Sequence, residues 1–328
     1  MVSESQHDIP PTLSDFQSQK EHIPVLLNEV MSYLAPRNGG RYIDATFGGG
    51  GHARVLLEQS APTGQVLAID ADPDAIARAA TLSLAHPGRL KPARGNFRDI
   101  EALARGAGFG SVDGILMDLG LSSFQLDQPE RGFSFRFPAP LDMRFDSQQG
   151  PSAATLVNEY DETDLTNLIF EFGEETRSRV IARAIVGARR EQPIETTDRL
   201  ASIIERAVGG RHGRAIHPAT RTFQALRIAI NDELGTLHAG LAGALELLAT
   251  GGRLVVISFH SLEDRIVKTF MRDEATDCIC PPSTPICVCD HHARVRVLTR
   301  KTVRPNVEEQ RRNPRSRSAK LRAVERLP

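Results

Sequence analysis

Residues 41–52, Arg41-Tyr-Ile-Asp44-Ala-Thr-Phe-Gly48-Gly-Gly50-Gly51-His52, form a short run of strand-favouring residues that breaks into glycines before a helical stretch. Glycines at such a junction let the backbone pass close to a ligand and turn the helix N-terminal amides towards it. The same grammar continues outward. Gln65–Asp70 (QVLAID) reads as a second strand, followed by a helix from Pro73 to about Ala85. Leu90–Arg94 is a weaker third strand, and Val112–Leu119 (VDGILMDL) a fourth, the most apolar. Strands alternating with helices imply a parallel α/β sheet. Beyond it the pattern changes. Residues 120–145 lack sustained periodicity, while Asp161–Arg190 and Thr196–Val208 carry apolar residues at helical spacing. A Gly/His/Arg-rich loop at 209–218 precedes a long helix expected from about Thr220 to Ala249, and Arg253–Phe259 (RLVVISF) resumes the strand pattern. The expected fold is therefore α/β, a doubly wound Rossmann-like sheet with an inserted, mostly helical domain. The expected boundaries are a disordered tail at 1–21, a sheet domain at 22–134 and 218–328, and an insert at 135–217.

Composition narrows the class. The chain has 328 residues, 40% hydrophobic and 25% charged, with a net charge of −1. That suits a globular protein with a sizeable core and excludes a uniformly basic coat protein. No uncharged apolar run approaches the roughly 20 residues of a membrane span, and the polar N-terminus has no secretion-signal pattern. All four cysteines fall between Cys278 and Cys289, too local for a disulfide framework. The cytoplasm is the expected setting. The near-zero charge also conceals a division, because residues 294–328 hold 12 Lys and Arg against 3 Asp and Glu. Such a basic stretch on an acidic body suits an anionic polymer as substrate.

Gly48-x-Gly50-x-x-Ala53 fits the relaxed dinucleotide pattern, and Asp70 lies where it would meet a ribose. The glycines alone do not choose a cofactor, but charge does. Asp44 ends the first strand and Asp118 the fourth, where ligands of open α/β sheets bind. Two carboxylates there repel a pyrophosphate and attract an ammonium and a sulfonium, as in S-adenosylmethionine. The competing possibilities are a structural glycine turn flanked by solvated acids, a nicotinamide dehydrogenase, and a non-catalytic RNA-binding factor.

Several further blocks carry one resemblance: residues 22–27 (HIPVLL), Asp44–His52, 118–127 (DLGLSSFQLD), 131–135 (RGFSF), 140–144 (PLDMR), 217–227 (HPATRTFQALR), 258–265 (SFHSLEDR) and 313–318 (NPRSRS). Together they resemble the bacterial ribosomal RNA small subunit methyltransferase H family. The resemblance implies methyl transfer from S-adenosylmethionine to N4 of a cytidine in the decoding region of 16S rRNA, with the rRNA within the small ribosomal subunit as partner. It also implies a methyltransferase sheet with an inserted helical domain. Cofactor contacts are implied for Gly50, Gly51, His52, Asp70, Phe97, Asp118 and Gln125. One departure stands out. Many amino-methyltransferases follow the fourth strand with a Pro-Pro-aromatic turn that presents the amine, whereas here the residues are Asp118-Leu-Gly-Leu.

The cytosine N4 lone pair is delocalised into the ring, so an acceptor on its N–H would activate it, and alignment would add the gain of proximity. Asp118 is the candidate catalytic acceptor, with service to the cofactor alone as the alternative. Phe133 and Phe135, near Arg131 and Arg136, would suit an unstacked base or would plug the insert onto the sheet. Ser258-Phe-His260-Ser261-Leu-Glu-Asp264 lacks a nucleophile turn and reads instead as a helix N-cap at Ser261, with His260 left facing the substrate. Thr220, Gln224, Arg227 and Asn231 share a helix face, read as solvated or, beside Arg211, His212, Arg214 and His217, as an RNA-facing ridge. Cys278-x-Cys280 and Cys287-x-Cys289 suit either a zinc knuckle or free thiols, with no metal assigned to the catalytic site.

Overall fold

The computed structural model describes residues 24–210, 216–281 and 286–328. The expected tail at 1–21 and the loop residues Arg211, His212 and Arg214 lie outside them. Five strands run parallel: β1 (Arg41–Asp44), β2 (Gln65–Asp70), β3 (Leu90–Arg94), β4 (Val112–Asp118) and β5 (Leu248–Ser258). Two strands unforeseen from the sequence, β6 (Val295–Val297) and β7 (Lys320–Arg326), complete one sheet of order β3-β2-β1-β4-β5-β7-β6. Strand β7 is antiparallel to both neighbours.

Alternating residues build two cores, as the two-residue period of strands requires. Tyr42, Val66, Ala68, Leu116, Val255 and Ile257 face α1 (Leu27–Leu34), α2 (Gly51–Gln59) and α3 (Pro73–Ala85). Ile43, Leu67, Ile115, Met117, Leu254 and Val256 form the other core, with α4 (Ile100–Gly106) and two later helices. A short α5 (Ser123–Leu126) follows β4. Then come α6 (Ala153–Glu159), α7 (Glu162–Gly173), α8 (Ser178–Glu191), α9 (Thr197–Ala207) and α10 (Thr220–Asn231), before α11 (Glu233–Leu247) returns to the sheet. Last are α12 (Ser261–Asp273) and α13 (Val307–Arg312). Helices α6 to α9 enclose a third core, which draws in Phe133 on one side and Phe223, Ala225 and Leu226 of α10 on the other. Among the described residues no helix is long and apolar enough to cross a membrane.

Two helices expected to be continuous are broken. The first stops at Glu174 (φ 47°) and the second at Asp232 (φ 45°), both left-handed. At Asp232 the chain passes from the helical core, served by α10, to the sheet core, served by α11, and one straight helix cannot face both. Aspartate is among the residues that tolerate this conformation best. Arg227 straddles the break with a bidentate pair to Glu233, Nε–Oε1 2.7 Å and Nη2–Oε2 2.9 Å.

The face of this helix read as solvated or RNA-facing is consequently an internal seam from Gln224 to Asn231, while Thr220 is exposed. Gln224 donates to the Phe172 carbonyl, and Asn231 accepts from the Phe145 amide and donates to the Met143 carbonyl. The side chains of Arg227 and Glu233 are only 14% and 8% exposed. Removing one partner of such a pair strands a desolvated charge, so Glu233→Gln is expected to cost about 3 kcal/mol in urea denaturation. The double substitution Arg227→Met/Glu233→Leu should recover most of that loss.

Candidate active site

Asp44, Asp70 and Asp118 are the last residues of β1, β2 and β4, three adjacent strands. Register sets their depth. Asp44 pairs with Ala68 and Leu116, so Asp70 and Asp118 each lie two residues further along, and Asp44 forms the floor between them. This is the carboxyl edge of an open α/β sheet at the point where strand order reverses, where a ligand crevice forms.

The glycine loop closes over that floor. The Gly48 amide donates to Asp70 Oδ2 at 2.8 Å, and the Thr46 hydroxyl accepts from the Asp118 amide at 2.7 Å, tying β1 to β4. Gly50 has φ 77°, and a Cβ there would lie 2.5 Å from the Phe47 ring; at Gly51 it would lie 2.3 Å from Pro24. Only glycine permits that close approach. No side chain caps α2, so its first-turn amides stay available to an anionic group.

Burial dominates the electrostatics. It pushes the Asp44 carboxyl up to about 7, aided by the Asp70 charge and opposed by the Thr46 amide hydrogen bond. Burial also raises Asp70 to about 6, against stabilising amide bonds from Asp72 and Gly48. Asp118 is raised well above the carboxylate range by burial, then by the charges of Asp44 and Glu263. Its Oδ1 is buried with no hydrogen-bond partner among the described residues. Its Oδ2 lies 3.7 Å from His52 Nδ1. His52 Nε2 sits 3.0 Å from the Val25 carbonyl. When Nε2–H donates there, the neutral ring turns a lone pair towards Asp118. A buried carboxylate without donors is costly unless a cation or an N–H arrives.

The other predicted residues surround this edge. Gln125 is buried and donates to Asp72 Oδ2 at 3.0 Å, while its Oε1 accepts from the Ser122 amide. Phe97 follows β3 in a short 3-10 turn, its ring against Gly240, where a Cβ would come within 2.5 Å. Asp72 was not anticipated. It caps α3 through the Asp74 amide and also takes Arg131 Nη1 at 3.1 Å, joining the loop after β4 to the end of β2. The Asp72-Pro73 pair at a helix start was the available signal.

Phe133 is buried in the helical core, and Phe135 packs on His217 and Phe223 with ring centroids 4.6 and 4.8 Å away. Both fasten the insert. His260, not Ser261, caps α12, forming a capping box with Glu263, because its Nδ1 accepts from the Glu263 amide. In place of a Pro-Pro turn, Gly120 (φ 97°) packs beneath the Phe259 ring.

The basic C-terminal stretch is no loose tail. Lys320 and Arg322 clamp Asp264, and Arg315 holds Asp127 beside the Gln125 loop. The Glu309 carboxylate of α13 accepts from the Leu26 amide, next to the glycine loop.

The folded, ligand-free protein binds protons at Asp44 more tightly than the unfolded chain does. Stability from this group is therefore full below the ordinary value of 3.8 and is lost as pH rises towards about 7. Asp44→Asn, which keeps the acceptor for the Thr46 amide, should raise the ligand-free melting temperature at pH 8 by about 2–4 °C. The gain should vanish near pH 4 in thermal melts.

A family model described as the MraW methylase family matches residues 19–327. The ribosomal RNA small subunit methyltransferase H of Thermomicrobium roseum is 61% identical over 93% of this chain and 94% of its own length. Those of Dehalococcoides mccartyi strain BAV1 and Trichlorobacter lovleyi are 54% and 50% identical over 93% of this chain, and over 86% and 98% of theirs. A solved rRNA methylase from Streptococcus thermophilus aligns over 94% of this chain and 99% of its own, with 11% identity and a TM-score of 0.42.

Proposed function

The chain belongs to the MraW methylase family, and on that premise we propose that it methylates N4 of a cytidine in the decoding region of 16S rRNA. It is a methyltransferase, and S-adenosylmethionine is its cofactor. The residues present fit that group: a glycine loop packed too closely on Phe47 and Pro24 for any Cβ, an uncapped helix start, and three carboxylates, Asp44 buried and Asp70 and Asp118 half-buried, that suit positive charge. When bound, S-adenosylmethionine supplies an electrophilic methyl that the cytosine N4 takes with loss of a proton. Gly50, Gly51 and His52 would line the amino-acid end of the cofactor, and Asp70 its ribose. Phe97 would meet the adenine, while Gln125 would hold the loop that covers it.

The observation that carries the reaction is the unpartnered, buried Oδ1 of Asp118. It leaves Asp118 short of a donor, a carboxylate able to accept the N4–H, localise the nitrogen lone pair and hold the departing proton. Burial and the charges of Asp44 and Glu263 raise its proton affinity, which favours holding that proton. His52 Nδ1 lies 3.7 Å from the other carboxylate oxygen.

For the substrate, the division proposed is a methyltransferase unit interrupted by a helical insert that reads the RNA; the expected insert of 135–217 extends to Asn231, because α10 packs in the helical core. Arg300, Lys301, Arg304, Arg311 and Arg317 are exposed on the basic C-terminal stretch, which reaches the rim at Asp127, and they suit phosphate contacts. The setting proposed is the cytoplasm, with the rRNA presented within the small ribosomal subunit.

Four measurements test this. Labelled methyl transfer to 30S subunits and to naked 16S rRNA should yield N4-methylcytidine on digestion, and any other labelled nucleoside contradicts the proposal. Asp118→Asn should lower turnover at saturating cofactor and RNA by about 100-fold or more. Near-full turnover would remove the acceptor role and leave Asp118 to the cofactor. S-adenosylhomocysteine should bind and NAD should not. Because a cation prefers ionised partners, S-adenosylmethionine affinity should rise between pH 5.5 and 8 as Asp70 (about 6) and Asp44 (about 7) lose their protons.

A further inference from the structure

Residues 274–294 connect α12 to β6, and they present a cluster that methyl transfer does not use. The four sulfurs of Cys278, Cys280, Cys287 and Cys289 all lie within 4.8 Å of one another. Cys287 Sγ is 3.5 Å from Cys289 Sγ, which is 3.8 Å from Cys278 Sγ. These distances exclude a disulfide, whose sulfurs stand about 2.05 Å apart. They match the edge of a tetrathiolate tetrahedron, because four sulfurs about 2.3 Å from one zinc ion are about 3.8 Å from each other.

Among the described residues no packing contact explains the convergence. The described part of the connector between Cys278 and Cys289 has no helix or strand, and its apolar side chains point outward: Ile279, Ile286 and Val288 are 51%, 75% and 77% exposed. There is no local core to gather the thiols, and a thiol is too weak a donor to do so. The connector's two ends are fixed independently. Arg294 forms a bidentate pair with Glu274, the Ala293 amide donates to Asp277, and His291 Nδ1 lies 2.8 Å from the Thr276 carbonyl.

We propose that Cys278, Cys280, Cys287 and Cys289 form a structural zinc site that closes the connector between α12 and β6. All four positions are protein thiolates, which leaves no open coordination site, so the ion is structural and not catalytic. Its place in the fold agrees. Helix α12 starts at the carboxyl edge of β5 and runs back along the sheet, while Val295 of β6 lies level with Arg326 and thus with the start of β5 near Arg253. The cluster hangs at the edge of the sheet opposite Asp44 and Asp118, where it braces the outermost strand without touching the cofactor.

The test uses full-length protein freed of any affinity tag and purified without chelator. Elemental analysis should find about one zinc per chain, with the four thiols slow to react until a chelator is added. Cobalt exchanged into the site should give the intense visible bands of a tetrahedral tetrathiolate complex. Cys287→Ser/Cys289→Ser should hold less than about a tenth of the wild-type zinc yet bind S-adenosylhomocysteine within about threefold of wild type, which shows that the sheet has folded. Four freely reactive thiols without zinc, iron in place of zinc, or a double variant that keeps its zinc would each overturn the assignment. None of these outcomes depends on which nucleotide is methylated.

Discussion

Three carboxylates at the ends of adjacent parallel strands, Asp44 buried and Asp70 and Asp118 half-buried, are the constraint to which the surrounding structure answers. Desolvating one such charge is expensive, and Asp44, at 1% exposure, has among the described residues only the Thr46 amide as a close donor. Asp70 is better served, with amides from Gly48 and Asp72 and the positive field of Arg78. Arg78 itself reaches the Gly48 carbonyl and lies 4.4 Å from the Phe124 ring centroid, so the residue that eases Asp70 also pins the glycine loop to the loop after β4. Hydrogen bonds satisfy part of the Asp44 and Asp70 carboxylates, while that of Asp118 is left for a ligand.

The insert is wired to this edge, not merely attached to it. Glu263, capped against His260 at the start of α12, raises Asp118 by its charge and also acts on Arg227 and Glu233. Its own carboxyl is drawn down by His260 and Arg227 despite burial. A single electrostatic chain therefore runs from Asp118 through Glu263 to the Arg227–Glu233 pair that bridges the break between α10 and α11. Any displacement of α10 within the helical core would alter the field at the end of β4. Asn231, Arg131 and Asp72 supply a second, hydrogen-bonded route from the insert to the same edge.

Much of this was legible in the residues. The strands from β1 to β5 could be read because each carries apolar residues on both faces and ends in a turn signal, and α3 because Asp72-Pro73 opens it. The acidic edge followed from Asp44 and Asp118 standing last in their strands. What escaped was decided by tertiary context. The apolar spacing runs unbroken across Asp232, but the residues before and after it serve different cores, and periodicity cannot say which core a residue faces. The polar stripe of Gln224, Arg227 and Asn231 resembles a solvated or RNA-facing surface until the loop at 143–145 is seen to lie against it. His260 was passed over as a cap because a histidine seldom fills that place, and β6 and β7 because charged residues interrupt both.

Strand polarity explains how one basic stretch reaches the active edge. Because β7 is antiparallel to β5, Lys320 pairs with Ser258 at the carboxyl end of that strand. Everything immediately before β7, from α13 through Arg315 and Arg317, must then lie on the side of the sheet that holds Asp118. A parallel seventh strand would have carried the same arginines to the opposite edge. The reversal also sends the chain ahead of β6, with its four cysteines, to the back. An overall charge near zero is thus compatible with a polyanionic substrate: Asp44, Asp70 and Asp118 line the edge where a cationic cofactor would sit, and basic residues of the C-terminal stretch are delivered to the rim by the direction of a single strand.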